Sequence, residues 1–320
     1  MEHKDLRLSK SLTDFLKLSC AILVLSHHYA KYLFHNGVDN ILVRILSTHG
    51  GFIGVAVFFF ISGYGLMESE KRKHLSGSSF ISKRISKVYI PAVLVSIIWI
   101  VCCNVLDYSI LPPRLMSGGL IYYLYLVLID FGDPILWFVK IIFLCYISFY
   151  VFTTIGNEKK RIYILLSLTI LITFITKLII GAWAAISVPM FAGGVLCSCI
   201  PRQKIIGIYN HSLYLLFMVL IGVFIAGFVY TYHIVINCFI IYTIIYISPN
   251  ITMGFQLPGI LGNISYDVYL VHGKILAVME YFKMEDLLIF IMATIIASFG
   301  GYYIRYFLLS SFDKLRIVRT

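Results

Sequence analysis

Residues 49–66, HGGFIGVAVFFFISGYGL, decide the reading of this chain. The stretch is apolar over the length of a helix, yet it is broken by Gly50, Gly51, Gly54, Ala56, Ser62, Gly63 and Gly65. In lipid, water exclusion does not drive helices together. They associate by close packing, which small side chains permit. A polar Ser62–Gly63 pair follows directly on Phe58, Phe59 and Phe60.

The rest of the chain agrees with a lipid setting. Of its 320 residues 60% are hydrophobic and 13% are charged, with a mean hydropathy of +0.92. A soluble domain carries about 25% charged residues. Open sheets cannot cross a bilayer, and the apolar runs are too long for barrel strands. The expected fold is therefore all-α, a polytopic bundle of about ten transmembrane helices. The runs lie at 12–31, 49–67, 88–107, 134–154, 162–180, 183–200, 205–227, 229–247, 259–281 and 286–309. Residues 118–130 are too short to span and read as re-entrant or interfacial. The first apolar run reads as a retained helix, not a cleaved signal. With no internal repeat or attached soluble domain in view, residues 1–320 read as one membrane domain, with a cytoplasmic segment at 1–11 and a cytoplasmic tail at 310–320.

The formal net charge of +11 would suggest nucleic acid in a soluble protein. Here Lys and Arg gather in alternate loops, which the positive-inside rule explains, so no nucleic-acid partner is expected. The asymmetry puts both termini in the cytoplasm, although loop 248–259 carries no charge to vote. The seven cysteines sit in or beside apolar runs with no disulfide or zinc spacing, and no metal site is expected.

Ionisable groups inside a span are expensive and usually have a task. Lys17 and His28 are eleven residues apart, which leaves them about 20° from eclipsed on a helix. Asp14 shares their face, whereas His27 points about 80° away. On geometry alone, a snorkelling Lys17 and an interfacial His28 explain this as well as a functional pair does. In the ninth run Ser265, Tyr269 and His272 fall within about 60° of one another, and Asp267 and Lys274 share the opposite face as a candidate ion pair. Arg84 and Lys87, at the start of the third run, are i and i+3 neighbours. They read either as topology charge or as a clamp for a polyphosphate.

Four stretches together resemble the acyltransferase 3 family. Residues 49–66 are similar to its second helix, with the phenylalanine run and the Ser-Gly. Asp14-Phe15-Leu16-Lys17 followed by His28 matches a basic residue, ten residues and a His, with Lys where the family usually has Arg and without the flanking glycine. Arg84 and Lys87 match a basic pair spaced R-x-x-R, again with one Lys, ahead of an aromatic and Pro91. Gly262 to His272 resembles the late Ser-Tyr, Tyr-Leu, His motif, and Leu136-Trp137-Phe138 is a weaker match.

The resemblance implies a membrane-bound O-acyltransferase that moves an acyl group, most often acetyl, from cytoplasmic acyl-CoA to a hydroxyl of a cell-surface glycan or lipid-linked saccharide. It implies His28 as general base, Asp14 and Lys17 shaping the cytoplasmic entry, and Lys17, Arg84 and Lys87 holding CoA phosphates. Ser62, Ser265, Tyr269 and His272 are further candidates for orienting acceptor or thioester. It places the protein in the cytoplasmic membrane among lipids, with acyl-CoA as a substrate and no permanent cofactor. The rival class is a polysaccharide exporter or flippase, since intramembrane His, Asp and Lys also suit proton relays.

Overall fold

The computed structural model describes residues 8–72, 77–106, 124–130, 134–199, 233, 235–238, 244 and 259–317. Among these residues the chain is helices joined by short turns, with no strand. The long elements are α1 Lys10–His35, α3 Gly51–Arg72, α5 Ile90–Leu106, α6 Trp137–Thr154, α7 Glu158–Ile179, α10 Gly259–Tyr281 and α11 Leu287–Ile317. Shorter ones are α2 Ile41–Ile45, α4 Gly77–Arg84, α8 Ala182–Ala185 and α9 Pro189–Cys199.

Local chemistry sets several boundaries. Ser9 caps α1 by accepting from the Leu12 amide at 3.1 Å, and Asn40 and Asn157 cap α2 and α7 in the same way. Asp286 accepts from the Leu288 and Ile289 amides to start α11. Pro189 stands in the first turn of α9, where the missing N–H costs nothing, and Pro91 follows directly on the π-helical turn that leads into α5. Two widened, π-helical turns, Leu46–Gly50 and Ile85–Tyr89, join α2 to α3 and α4 to α5 without a break.

Among the described residues six stretches are long and apolar enough to cross a membrane: Ile41–Arg72, Ser79–Cys103, Trp137–Thr154, Glu158–Ile179, Ala182–Cys199 and Leu287–Phe307. The protein is thus a multi-pass membrane protein. The expected runs at 12–31 and 259–281 coincide with α1 and α10, which have the length but are too polar to count by composition. Their polar side chains face each other, as described below. The runs at 205–227 and 229–247 fall almost wholly outside the described residues, as does 118–123.

Packing is organised by α3. One side lies on α9 and another on α1, while α1 also packs along α10, and α10 along α11. The small residues of α3 make both approaches possible. A Cβ on Gly63 would run into the Phe191 carbonyl of α9, and one on Gly194 would run into the Phe60 carbonyl of α3. Toward α1, a Cβ on Gly54 would lie 2.7 Å from Val24 and 2.9 Å from the Cys20 carbonyl. Phe59 and Phe60 are fully buried in the same core as Phe149, Phe152 and Phe191. At the Arg72 end of α3, the buried Glu68 carboxylate accepts from Lys71 at 3.1 Å and from the Ser198 hydroxyl of α9 at 2.7 Å.

Gly63→Ala should therefore force α3 and α9 apart and destabilise the bundle by about 1–3 kcal/mol. Gly65, on the same helix with nothing within 4 Å of a built Cβ, is the control. Gly65→Ala should be neutral or stabilising by up to about 1 kcal/mol. Thermal melting of the two purified variants in detergent checks the contrast, and equal losses would contradict it.

Candidate functional site

The site is built on α1 and α10, which run side by side in the same direction. At one end Asp14 packs on Gly262, where a Cβ would lie 2.5 Å from the carboxylate-bearing carbons. Asp14 accepts from Lys17 at 3.0 Å, so the cation stays one turn from its partner on the same helix. At the other end the His28 and His272 rings approach to 5.1 Å between centroids. The shared face of Asp14 and His28 is thus the face that meets α10.

His272 is fully buried, and its Nδ1 lies 2.7 Å from the Tyr269 carbonyl. A carbonyl only accepts, so Nδ1 carries the proton and Nε2 is the basic nitrogen of the neutral ring. The Tyr269 hydroxyl donates to the Ile135 carbonyl at 2.5 Å and its ring meets Phe138 edge-on, which ties α10 to the start of α6. Ser265 donates only within its own helix, to the Gly262 carbonyl at 2.8 Å.

Sequence geometry pointed His27 away from this face, yet His27 belongs to the same site. Its Nδ1 lies 2.9 Å from the Leu46 carbonyl, at the start of the first π-helical turn. The ring sits against Gly51, where a Cβ would be 2.7 Å away, and meets His28 edge-on at 5.0 Å. A single-helix projection shows direction but not the neighbour that fills it, and here the neighbour is the glycine-bared start of α3. Beyond it, Phe52 contacts His233 at 4.1 Å, and His233 lies 5.4 Å from His49. Among the described residues no group of three metal-ligating side chains gathers.

His27 and His28 open into a cavity of about 400 Å³, also lined by Lys31, Trp137, Trp183, Ser187 and Tyr269. A cleft of this size, mostly apolar with a few converging polar groups, suits a small substrate.

The basic pair is divided by the second π-helical turn. Arg84 is half-buried, with its guanidinium 5.4 Å from the Phe80 ring and 5.3 Å from the Tyr146 ring. Its Nε is buried without a hydrogen-bond partner among the described residues. Ser62 and Arg84 both lie near the Tyr146 hydroxyl, so the Ser-Gly of α3 adjoins this slot. Lys87 and Lys83 remain exposed. Tyr266 donates to the Val88 carbonyl at 2.7 Å, linking α10 to the same turn.

The suggested Asp267–Lys274 pairing is corrected. Asp267 accepts from Arg305 of α11 at 2.6 Å, and both side chains are largely buried. Seven residues set Asp267 and Lys274 two turns apart, beyond easy reach, whereas α11 packs directly against Asp267. Lys140 pairs with Asp130.

The fold and site define a polytopic membrane protein with paired imidazoles at a cavity inside its helical bundle. The chain belongs to the acyltransferase 3 family: the model of that family's acyltransferase domain matches residues 13–307. No curated protein and no solved structure matches the chain.

Replacing Arg305 by Met leaves the Asp267 charge buried and uncompensated, which should cost about 3–5 kcal/mol. The double variant Arg305→Met with Asp267→Leu should recover most of that loss. Melting temperatures of the single and double variants provide the test, and a single variant as stable as the parent would contradict a buried ion pair here.

Proposed function

We propose that the protein transfers an acyl group, most often acetyl in this family, from cytoplasmic acyl-CoA to a hydroxyl of a glycan or lipid-linked saccharide. The observation that carries this reading is His28 at the wall of the cavity, backed by the buried His272 ring 5.1 Å away, on an element whose other end holds Asp14 and Lys17. The protein belongs to an acyltransferase family. The donor, the acceptor and the roles below extend that membership to particular groups.

A sugar hydroxyl is a poor nucleophile until its proton has a base to go to, and imidazole is suited to that at neutral pH. In this mechanism His28 takes the hydroxyl proton as the oxygen attacks the thioester carbonyl. The C–O bond forms and the C–S bond breaks. The proton passes from His28 to the departing thiolate, giving free CoA and the ester. His272, whose tautomer is fixed by the Tyr269 carbonyl, sits where it orients His28 or takes up part of the developing charge. A route through an acyl-imidazole uses the same groups in two steps.

The donor would enter at the other end. Lys17 lies about 16 Å along α1 from His28, a depth that an extended pantetheine arm can bridge. Arg84, held in its aromatic slot with Nε unsatisfied, and the exposed Lys87 are the groups for CoA phosphates, joined by Lys17. Loop charges put this end in the cytoplasm and His28 toward the far side. The acyl group then crosses while CoA stays behind.

Sealed, oriented vesicles with membrane-impermeant acetyl-CoA test the proposal. Transfer to an outside saccharide should occur with donor at the cytoplasmic face alone, and His28→Ala should abolish it while leaving insertion intact. Activity only with donor at the outer face, or saccharide transport without transfer, would overturn the reading.

Arg84→Ala should weaken acetyl-CoA binding by about tenfold, the effect of losing one charge-assisted hydrogen bond. Parental affinity should in turn fall as salt is raised. Calorimetry measures both, and an unchanged affinity in the variant would remove Arg84 from the donor site.

A further inference from the structure

The cavity at His28 has features the acyl-transfer chemistry does not require. Trp183 is 39% exposed and meets the buried Trp137 edge-on, with ring centroids 5.3 Å apart and an interplanar angle of 81°. Trp183 is held there by the backbone. Gly181 precedes α8 at φ +132°, a conformation L side chains rarely adopt. A Cβ on Gly181 would lie 3.0 Å from the Trp183 ring, so the indole rests on a bare turn. The second feature is charge. Lys31 lines the cavity one turn beyond His27 and His28 and is exposed. It makes no ion pair with any described residue, and no carboxylate is among the described residues lining the cavity.

A flat aromatic wall, a polar serine and one cation with no ion-pair partner among the described residues suit a particular ligand chemistry. A pyranose has an apolar C–H face that covers an indole and a polar rim that hydrogen-bonds. An indole offers an apolar face with one N–H. A cation without an acidic neighbour favours a ligand that brings its own negative charge. We propose that this region is an acceptor subsite for an anionic saccharide. The sugar ring lies on Trp183, its carboxylate or phosphate meets Lys31, and a ring hydroxyl is thereby presented to His28. The inference rests on the saccharide acyltransferase reading and adds the charge of the acceptor and the residues that select it.

The test uses the full-length protein in nanodiscs, with tryptophan emission followed during titration by methyl glucoside, methyl glucuronide and glucose 6-phosphate. At least one of the two anions should bind about fivefold tighter than the neutral glucoside, the upper range for an exposed ion pair. The one that does identifies carboxylate or phosphate as the group recognised. Lys31→Gln should bring anion and neutral sugar to equal affinity, and Lys31→Arg should keep the preference. Gly181→Ala, which disturbs the Trp183 ring, should weaken all three sugars alike. Acetyl-CoA affinity, measured by calorimetry on the same preparations, should not change in Lys31→Gln or Gly181→Ala. Equal binding of anions and glucoside by the parent protein, or a preference that survives Lys31→Gln, would overturn the subsite. A parent protein that binds no acetyl-CoA would overturn the acyltransferase reading instead, while the sugar titrations still decide the subsite.

Discussion

The close approach of α3 to its neighbours is the constraint on which the site depends. Gly63 and Gly194 let α3 and α9 meet backbone to backbone, and Gly51 and Gly54 let α3 meet α1. Without a hydrophobic force between helices in lipid, such contacts supply the packing that holds them. They also set the position of α1. Because nothing projects from Gly51, the His27 ring occupies that space and its Nδ1 reaches the Leu46 carbonyl. That contact anchors α1 on the side away from α10 and leaves His28 to face His272.

The π-helical turns Leu46–Gly50 and Ile85–Tyr89 do related work. Each sits where a candidate side chain must depart from the helical average. Leu46, which begins the first, supplies the carbonyl that holds His27. The second follows Arg84 and contains Lys87, and across it one cation turns inward between Phe80 and Tyr146 while the other stays at the surface. A widened turn carries fewer degrees per residue, so an i, i+3 pair no longer shares a direction. This is why the spacing of Arg84 and Lys87 suggested a paired clamp and the structure separates them.

Much of the architecture was legible in the sequence because composition and run length are lipid-facing properties. Six of the expected spans meet the length and apolarity that crossing requires. The face shared by Asp14 and His28 was legible from the helical angle alone, since α1 is regular over its length. What was not legible came from neighbours. The partner of Asp267 is Arg305, thirty-eight residues on and reached only through the packing of α10 on α11. The place of His27 depends on glycines of another helix, and Trp183 owes its pose to the φ of Gly181. None of these leaves a periodic trace, because each is a relation between elements.

The polarity that makes α1 and α10 less apolar than the other spans is also what makes them a pair. Asp14 with Lys17 at one end and His28 with His272 at the other are costly in lipid unless buried against protein. Turning these faces toward each other removes most of that cost and places an ionic pair and an imidazole pair at opposite ends of one interface. The proposed transfer across a membrane needs that separation, because the donor must be held on one side while its reactive carbon is presented near the other. Between the two ends Ala21 and Val24 of α1 and Ile264, Val268 and Leu270 of α10 are all buried. Val24 also borders the cavity at His28, and Ile264 and Val268 border a second, apolar cavity of about 590 Å³. Side chains thus close the interface itself while space flanks it, and an extended thioester arm in the proposed reaction would have to follow that flanking space.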